Sequence, residues 1–207
     1  FSRMLDFAKI SDYMIYQSQW AYEYVSWWFQ HNKIDCSKYK IIRNGVDTEF
    51  FYYKDKPEDR PEVYLFAHFN RDENKRFPEA AYYFHQKYRK AVEEGKEIRL
   101  VLVGQFSPEL VSYNFDFFAG EKVEYWGIAS TPSEMGETMR KCKYLLFPAY
   151  LDGSPNTVAE ALACGLDICC VNSEGGTREV IDGFMSNGLQ TIEQMAKEYV
   201  EVLQSVL

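Results

Sequence analysis

Two carboxylates eight positions apart, Asp152 and Glu160, bracket a Gly/Ser/Pro loop and the start of a small-residue helix in the run KYLLFPAYLDGSPNTVAE. The apolar stretch Tyr144 to Phe147 predicts a buried strand, Leu151 to Pro155 a loop, and Asn156-Thr157 the cap of a helix. At the carboxyl end of a strand in an open parallel sheet, unpaired N–H groups and the positive end of the helix dipole face the same space, which suits a phosphate. Ser154, Asn156 and Thr157 stand at that tip. A carboxylate about one turn into the helix can accept from both vicinal hydroxyls of a ribose, and a loop carboxylate from sugar hydroxyls beyond the phosphates. The spacing fits a nucleotide sugar. Taken singly, an acid near a helix start serves the dipole and an acid beside glycine serves a turn, so neither residue alone marks a site.

The elements that must hold this loop follow a regular alternation. Strands are predicted at Val63 to Phe69, Ile98 to Val103, Val123 to Trp126, Tyr144 to Phe147 and Ile168 to Val171. Helices are predicted between and after them at Pro78 to Glu94, Pro108 to Phe118, Pro132 to Lys141, Asn156 to Cys164 and Ile192 to Leu207. A repeated βα order means an α/β fold with a doubly wound, Rossmann-like parallel sheet. Before it, Tyr13 to Tyr16 reads as a strand and Gln19 to Gln30 as an aromatic helix, with Trp20, Tyr24, Trp27 and Trp28 spaced for one broad apolar face that needs burying. Tyr39 to Phe51 is a strand running into an Asn44-Gly45 turn, and Lys54 to Pro61 a charged linker expected on the surface.

Composition bounds the rest. A chain of 207 residues with 46% hydrophobic and 17% aromatic residues can fill a substantial core. With 23 Lys+Arg against 31 Asp+Glu, the net charge of −8 excludes a general affinity for nucleic acid or an anionic membrane, so any phosphate site must be local. The five cysteines, an odd number without metal-ligand spacing, imply a reducing, cytoplasmic setting and no structural zinc. No stretch is long enough to cross a bilayer, and the chain opens on Phe1, as a piece of a longer protein would. The loop Asn70 to Arg76 lacks glycine altogether, which rules out a dinucleotide-binding dehydrogenase turn, and carries three cations instead, Arg71, Lys75 and Arg76. His31, His68 and His85 have no partner spacing for a metal or a triad. Ser154 lacks the G-x-S-x-G elbow of a serine hydrolase.

The longer run YLLFPAYLDGSPNTVAEALACGLDICCVNSEGGTREVIDG resembles the E-x7-E region of the family 4 retaining glycosyltransferases, with Asp152 and Glu160 at the two acidic positions. Further matches are Glu160-Ala161, Ala163-Cys164-Gly165, Gly175-Gly176 and Glu179. Asn44-Gly45-Val46-Asp47 is similar to the segment that enters the family's donor domain, with Arg43 in place of proline. The pattern is departed from at Asp152, one methylene short of glutamate, at Ser154-Pro155 in place of Phe-Gly, and at Asp167 in place of proline. In all the resemblance covers roughly residues 10 to 185.

That resemblance implies the C-terminal half of a GT-B enzyme: residues 1–33 as the end of an N-terminal acceptor domain, residues 34–207 as the nucleotide-sugar donor domain. It implies Glu160 on the ribose, Arg71 and Lys75 on the diphosphate with Arg76 as the fallback for Lys75, Asp152 on the sugar, and the loop beginning Gly127-Ile128 against the base. Gly175-Gly176 opens another helix N-terminus and could face the sugar or phosphates, or form a plain turn. The donor would be a UDP- or GDP-sugar, no metal or other cofactor would be needed, and the acceptor would be a carbohydrate or glycoconjugate. Residues 13–30 would pack on the missing domain or in a homo-oligomer. Two rivals stand beside the transferase: a non-catalytic nucleotide or nucleotide-sugar binding module, and a nucleotide-sugar epimerase, whose acid and histidine constellation is not visible.

Overall fold

A computed structural model describes residues 2–68, 73–106, 122–171 and 174–206. Its helices are α1 (Ser2–Lys9), α2 (Gln19–His31), α3 (Phe77–Glu93), α4 (Pro132–Arg140), α5 (Asn156–Ala163), α6 (Thr177–Asn187) and α7 (Ile192–Val206). Its strands are β1 (Met14–Tyr16), β2 (Tyr39–Ile41), β3 (Val63–His68), β4 (Arg99–Gly104), β5 (Val123–Tyr125), β6 (Tyr144–Leu146) and β7 (Asp167–Cys169). The expected helix Pro108 to Phe118 lies outside the described residues. Two compact units result, one of Phe1–Asp47, Asp152–Ala159 and Glu174–Leu207, the other of Thr48–Leu151 and Glu160–Ser173.

In the first unit β1 and β2 pair in parallel, Met14 opposite Tyr39 and Tyr16 opposite Ile41, so residues on either side of position 33 share one small sheet. Ser18, in extended backbone, caps α2 by accepting from the Ala21 N–H at 3.0 Å. The helix buries Phe29 in a cluster with Ala8, Tyr16, Ile34 and Cys36, and Tyr22 stacks on Tyr39 with ring centroids 3.9 Å apart. Only part of the aromatic face is covered: Tyr24, Trp27 and Trp28 remain exposed. The Asn44-Gly45 turn leads to Val46, which pairs with Thr191 just before α7. A Cβ on Gly45 would stand 2.6 Å from the Thr191 carbonyl, so this approach needs glycine.

The second unit is the expected parallel sheet, in the order β5-β4-β3-β6-β7. Its strands are short apolar runs because both faces are covered. Tyr64, Phe66, Leu100 and Leu102 pack with Phe77, Ala80, Ala81 and Phe84 of α3, while Val63, Leu65, Val101, Val103 and Leu145 are buried on the other face. Each fully buried side chain of this kind contributes about 1.5–3 kcal/mol.

The segment Lys54 to Pro61 lies largely on the surface as expected, with one residue turned inward. It contains a short 3-10 turn, Pro57–Asp59, and its Arg60 is buried. One guanidinium nitrogen donates to the Cys142 carbonyl at 3.1 Å, the other to those of Asp55 at 3.1 Å and Cys164 at 2.8 Å. Cys142 follows the end of α4 and Cys164 the end of α5, so the cation answers the unpaired carbonyls and partial negative charge of two helix termini.

Candidate functional site

The second unit has a topological switch point. From β3 the chain steps outward to β4 and β5, then returns to β6 and β7 on the other side of β3. Open α/β sheets bind ligands at the carboxyl ends of the strands at such a point, here beside the loops that leave β3 and β6. Lys75 ends a short 3-10 turn in the first of those loops, its ammonium 5.2 Å from the centroid of the Phe147 ring in the second. The loops are tied together by the Tyr150 N–H, which donates to the Asn74 carbonyl at 3.3 Å. Arg76, the fallback cation, is occupied: its Nη2 and Nε reach Glu79 Oε1 at 2.6 and 2.9 Å, and its guanidinium lies 5.5 Å from the Tyr150 ring centroid. Arg71 lies outside the described residues.

At the end of β5, Gly127 adopts φ 81°, a conformation that suits glycine, and its carbonyl accepts from the Gly104 N–H at 2.8 Å. The chain is thereby turned over the sheet edge, and Ile128 beyond it is 49% exposed. Lys75, Gly127 and Ile128 thus share the carboxyl edge of one sheet.

Glu160, also in the second unit, is the most perturbed acid of the candidate set. It sits on α5 and is partly buried, and burial pushes its carboxyl up to about 7. Among the described residues its carboxylate has neither a hydrogen bond nor an ion pair. A carboxylate withdrawn from water without donors is costly, and the cost is relieved by any ligand that brings hydroxyl or N–H donors.

The remaining candidates belong to the first unit. Asp152 Oδ1 accepts from the Ser154 N–H at 3.3 Å, and the Asp152 carbonyl accepts from the Gly176 N–H at 2.8 Å. Ser154 is buried, and its carbonyl accepts from Asn44 Nδ2 at 2.9 Å; the same amide donates to Asn156 Oδ1 at 2.6 Å. Asn44 therefore clamps the loop that opens α5, a role beyond the turn and the motif match that its sequence showed. Asn156 is exposed and Thr157 half-buried, so the tip of α5 is not closed over by its own capping residues.

Gly175-Gly176 resolves toward packing. A Cβ on Gly175 would stand 2.4 Å from the Asp152 carbonyl oxygen, and one on Gly176 2.0 Å from that of Gly153. Both glycines are buried beneath the Asp152-Gly153 backbone. Glu179, three residues on, reaches the start of α2: its Oε2 accepts from the Gln19 N–H at 2.8 Å and its Oε1 from the Trp20 N–H at 2.7 Å. Sequence reasoning matched Glu179 to a motif without seeing that its partners are two backbone amides some 160 residues earlier.

A family model described as "Glycosyl transferases group 1" matches residues 66–207. The chain belongs to this family. No curated protein matches the sequence of this glycosyltransferase domain. Among solved structures it is similar to sucrose-phosphate synthase from Thermosynechococcus elongatus, with TM-score 0.69 and 13% identity over 98% of this chain and 60% of that one. It is similar to the pneumococcal O-GlcNAc transferase GtfA, in complex with UDP and GlcNAc, with TM-score 0.66 and 12% identity over 99% of this chain and 47% of that one. It is also similar to S. aureus TarM, in complex with fondaparinux, alpha-GlcNAc-glycerol and UDP, with TM-score 0.62, 12% identity, and 99% and 39% coverage. At these identities the likeness establishes the fold, that of the GT-B glycosyltransferases, and this chain spans 39–60% of the length of those relatives.

Proposed function

We propose that this group 1 glycosyltransferase domain binds a nucleoside-diphosphate sugar and serves a retaining, family 4 type transfer to a carbohydrate or glycoconjugate acceptor. The observation that carries the reading is Glu160, a partly buried carboxylate with no donor among the described residues, at the motif position expected to accept the two ribose hydroxyls. The other roles are assigned by motif position: Lys75 and Arg71 to the diphosphate, Asp152 to the sugar, Ser154, Asn156 and Thr157 to the helix tip, and the Gly127-Ile128 loop to the base. UDP, present in the complexes of GtfA and TarM, is the first donor nucleotide to try, with GDP the second.

In the proposed reaction the acceptor hydroxyl attacks the face of the sugar from which the diphosphate departs. The chain supplies position and cationic stabilisation of the charge that develops on the leaving diphosphate, without a metal. Cleavage of a donor by the chain supports catalysis, whereas tight binding without turnover makes it a binding module. The test is calorimetry of UDP and GDP on the wild type and on Glu160→Ala. The substitution weakens nucleoside-diphosphate binding by about 1.5–3 kcal/mol, the scale of hydrogen bonds to a charged group. Unchanged affinity in a variant that keeps its circular dichroism spectrum removes Glu160 from the site.

A further inference from the structure

We propose that the second unit carries a separate binding site for phosphate-type anions at the amino ends of β3 and β6, the opposite edge of the sheet from Lys75, Gly127 and Ile128. An open pocket of roughly 640 Å³ there is lined by five cations, Lys54, Lys56, Arg60, Arg140 and Lys141, against Asp55 and Asp59. In a chain with net charge −8, such a local excess runs against the average.

The clustering of the cations makes the case. Elsewhere among the described residues, exposed lysines either find carboxylates, as Lys90 and Lys96 share Glu94 and Lys122 reaches Glu97 at 2.6 Å, or make no ion pair, as Lys33, Lys87 and Lys197 do. Lys54, Lys56 and Lys141 are exposed and their ammonium groups make no ion pair or hydrogen bond among the described residues, although Asp55 and Asp59 adjoin them. Arg140 donates to the Phe50 carbonyl at 2.7 Å and lies 4.3 Å from the Tyr52 ring centroid, which fixes its charge in the wall without a carboxylate.

The ends of α4 and α5 do not explain the lysines either. Their partial negative charge is already met by Arg60, which donates to the Cys142 and Cys164 carbonyls while its Nε–H, buried in the same wall, has no partner among the described residues. Three lysines without counter-charges, on flexible stems around a pocket whose wall holds two further guanidinium groups, form a cradle for oxyanions. Because the pocket is open, the attraction is screened, and binding is weak and salt-sensitive.

The test is calorimetric titration of inorganic pyrophosphate into the whole chain at low salt. Three proteins are compared: wild type, the combined variant Lys54→Gln, Lys56→Gln, Lys141→Gln, and Lys75→Gln. A pyrophosphate site is expected that survives Lys75→Gln, weakens at least tenfold in the triple variant, and weakens several-fold when salt is raised. A second arm, co-sedimentation with phosphatidylserine and with phosphatidylcholine vesicles, identifies the source of the phosphate. Loss confined to the phosphatidylserine vesicles assigns a lipid headgroup, and loss confined to pyrophosphate assigns a soluble ligand. The three side chains are exposed, so circular dichroism of the triple variant is expected to match wild type. Equal behaviour of wild type and triple variant with both probes overturns the site.

Discussion

Glu179 and Glu160 both fall on motif positions, one in each unit, and among the described residues only one of them has partners for its carboxylate. Glu179 gives both carboxylate oxygens to the first amides of α2, so its charge is answered by the chain itself. Glu160 has burial but no donor among the described residues, and its carboxyl is pushed up to about 7. The same side chain thus does structural work where the fold supplies N–H groups and is left in want of them where it does not. A matched motif position is therefore not yet a binding residue; the hydrogen-bond inventory around it separates the two cases.

The largest effect expected from breaking this comparison lies on the structural side. Gly176→Ala puts a Cβ 2.0 Å from the Gly153 carbonyl and disturbs the turn that delivers Glu179, costing about 3 kcal/mol or more in urea unfolding. A loss below 1 kcal/mol would mean that the turn yields freely and the glycines serve something else.

Next in size is a pH effect on the other side. A carboxyl of ordinary value near 4.5 in the unfolded chain and about 7 in the folded one favours the folded state only while it is protonated. Stability from this group is complete below 4.5 and is lost as pH rises toward and through 7. Glu160→Gln, which cannot ionise, is therefore more stable than wild type by about 2–3 kcal/mol at pH 8 and equal to it near pH 4. Parallel stability curves for the two proteins between pH 4 and 8 would sink the account of Glu160 as an unanswered charge.

The smallest effect is Glu179→Gln. It keeps one acceptor and removes the charge, and its cost is about 1–2 kcal/mol in the same unfolding assay, with nucleotide affinity unchanged. Were nucleotide affinity to fall as far as in Glu160→Ala, the division drawn between the two glutamates would fail.

How much of this could be read in advance depends on the range of the interaction. The strands were legible because a parallel sheet covered on both faces demands unbroken apolar runs such as VYLFAH and RLVLVG. The βα alternation then fixed the fold class, and the loop before α5 could be placed at a strand's carboxyl end. α6 was visible only as a helix start after Gly176, because TREVIDGFMSN carries few apolar positions and an internal glycine. The roles of Asn44, Arg60 and Glu179 were not legible at all. Each hydrogen-bonds to groups roughly 80 to 160 residues away, largely backbone, which leaves no pattern in side-chain types.

Arg60 shows what that invisibility entails. Its three partners are carbonyl oxygens of the main chain, and a carbonyl is present whichever residue occupies positions 55, 142 or 164. Drift at those sites leaves the acceptors intact, so two helix ends are held by a tether whose fate rests on a single codon.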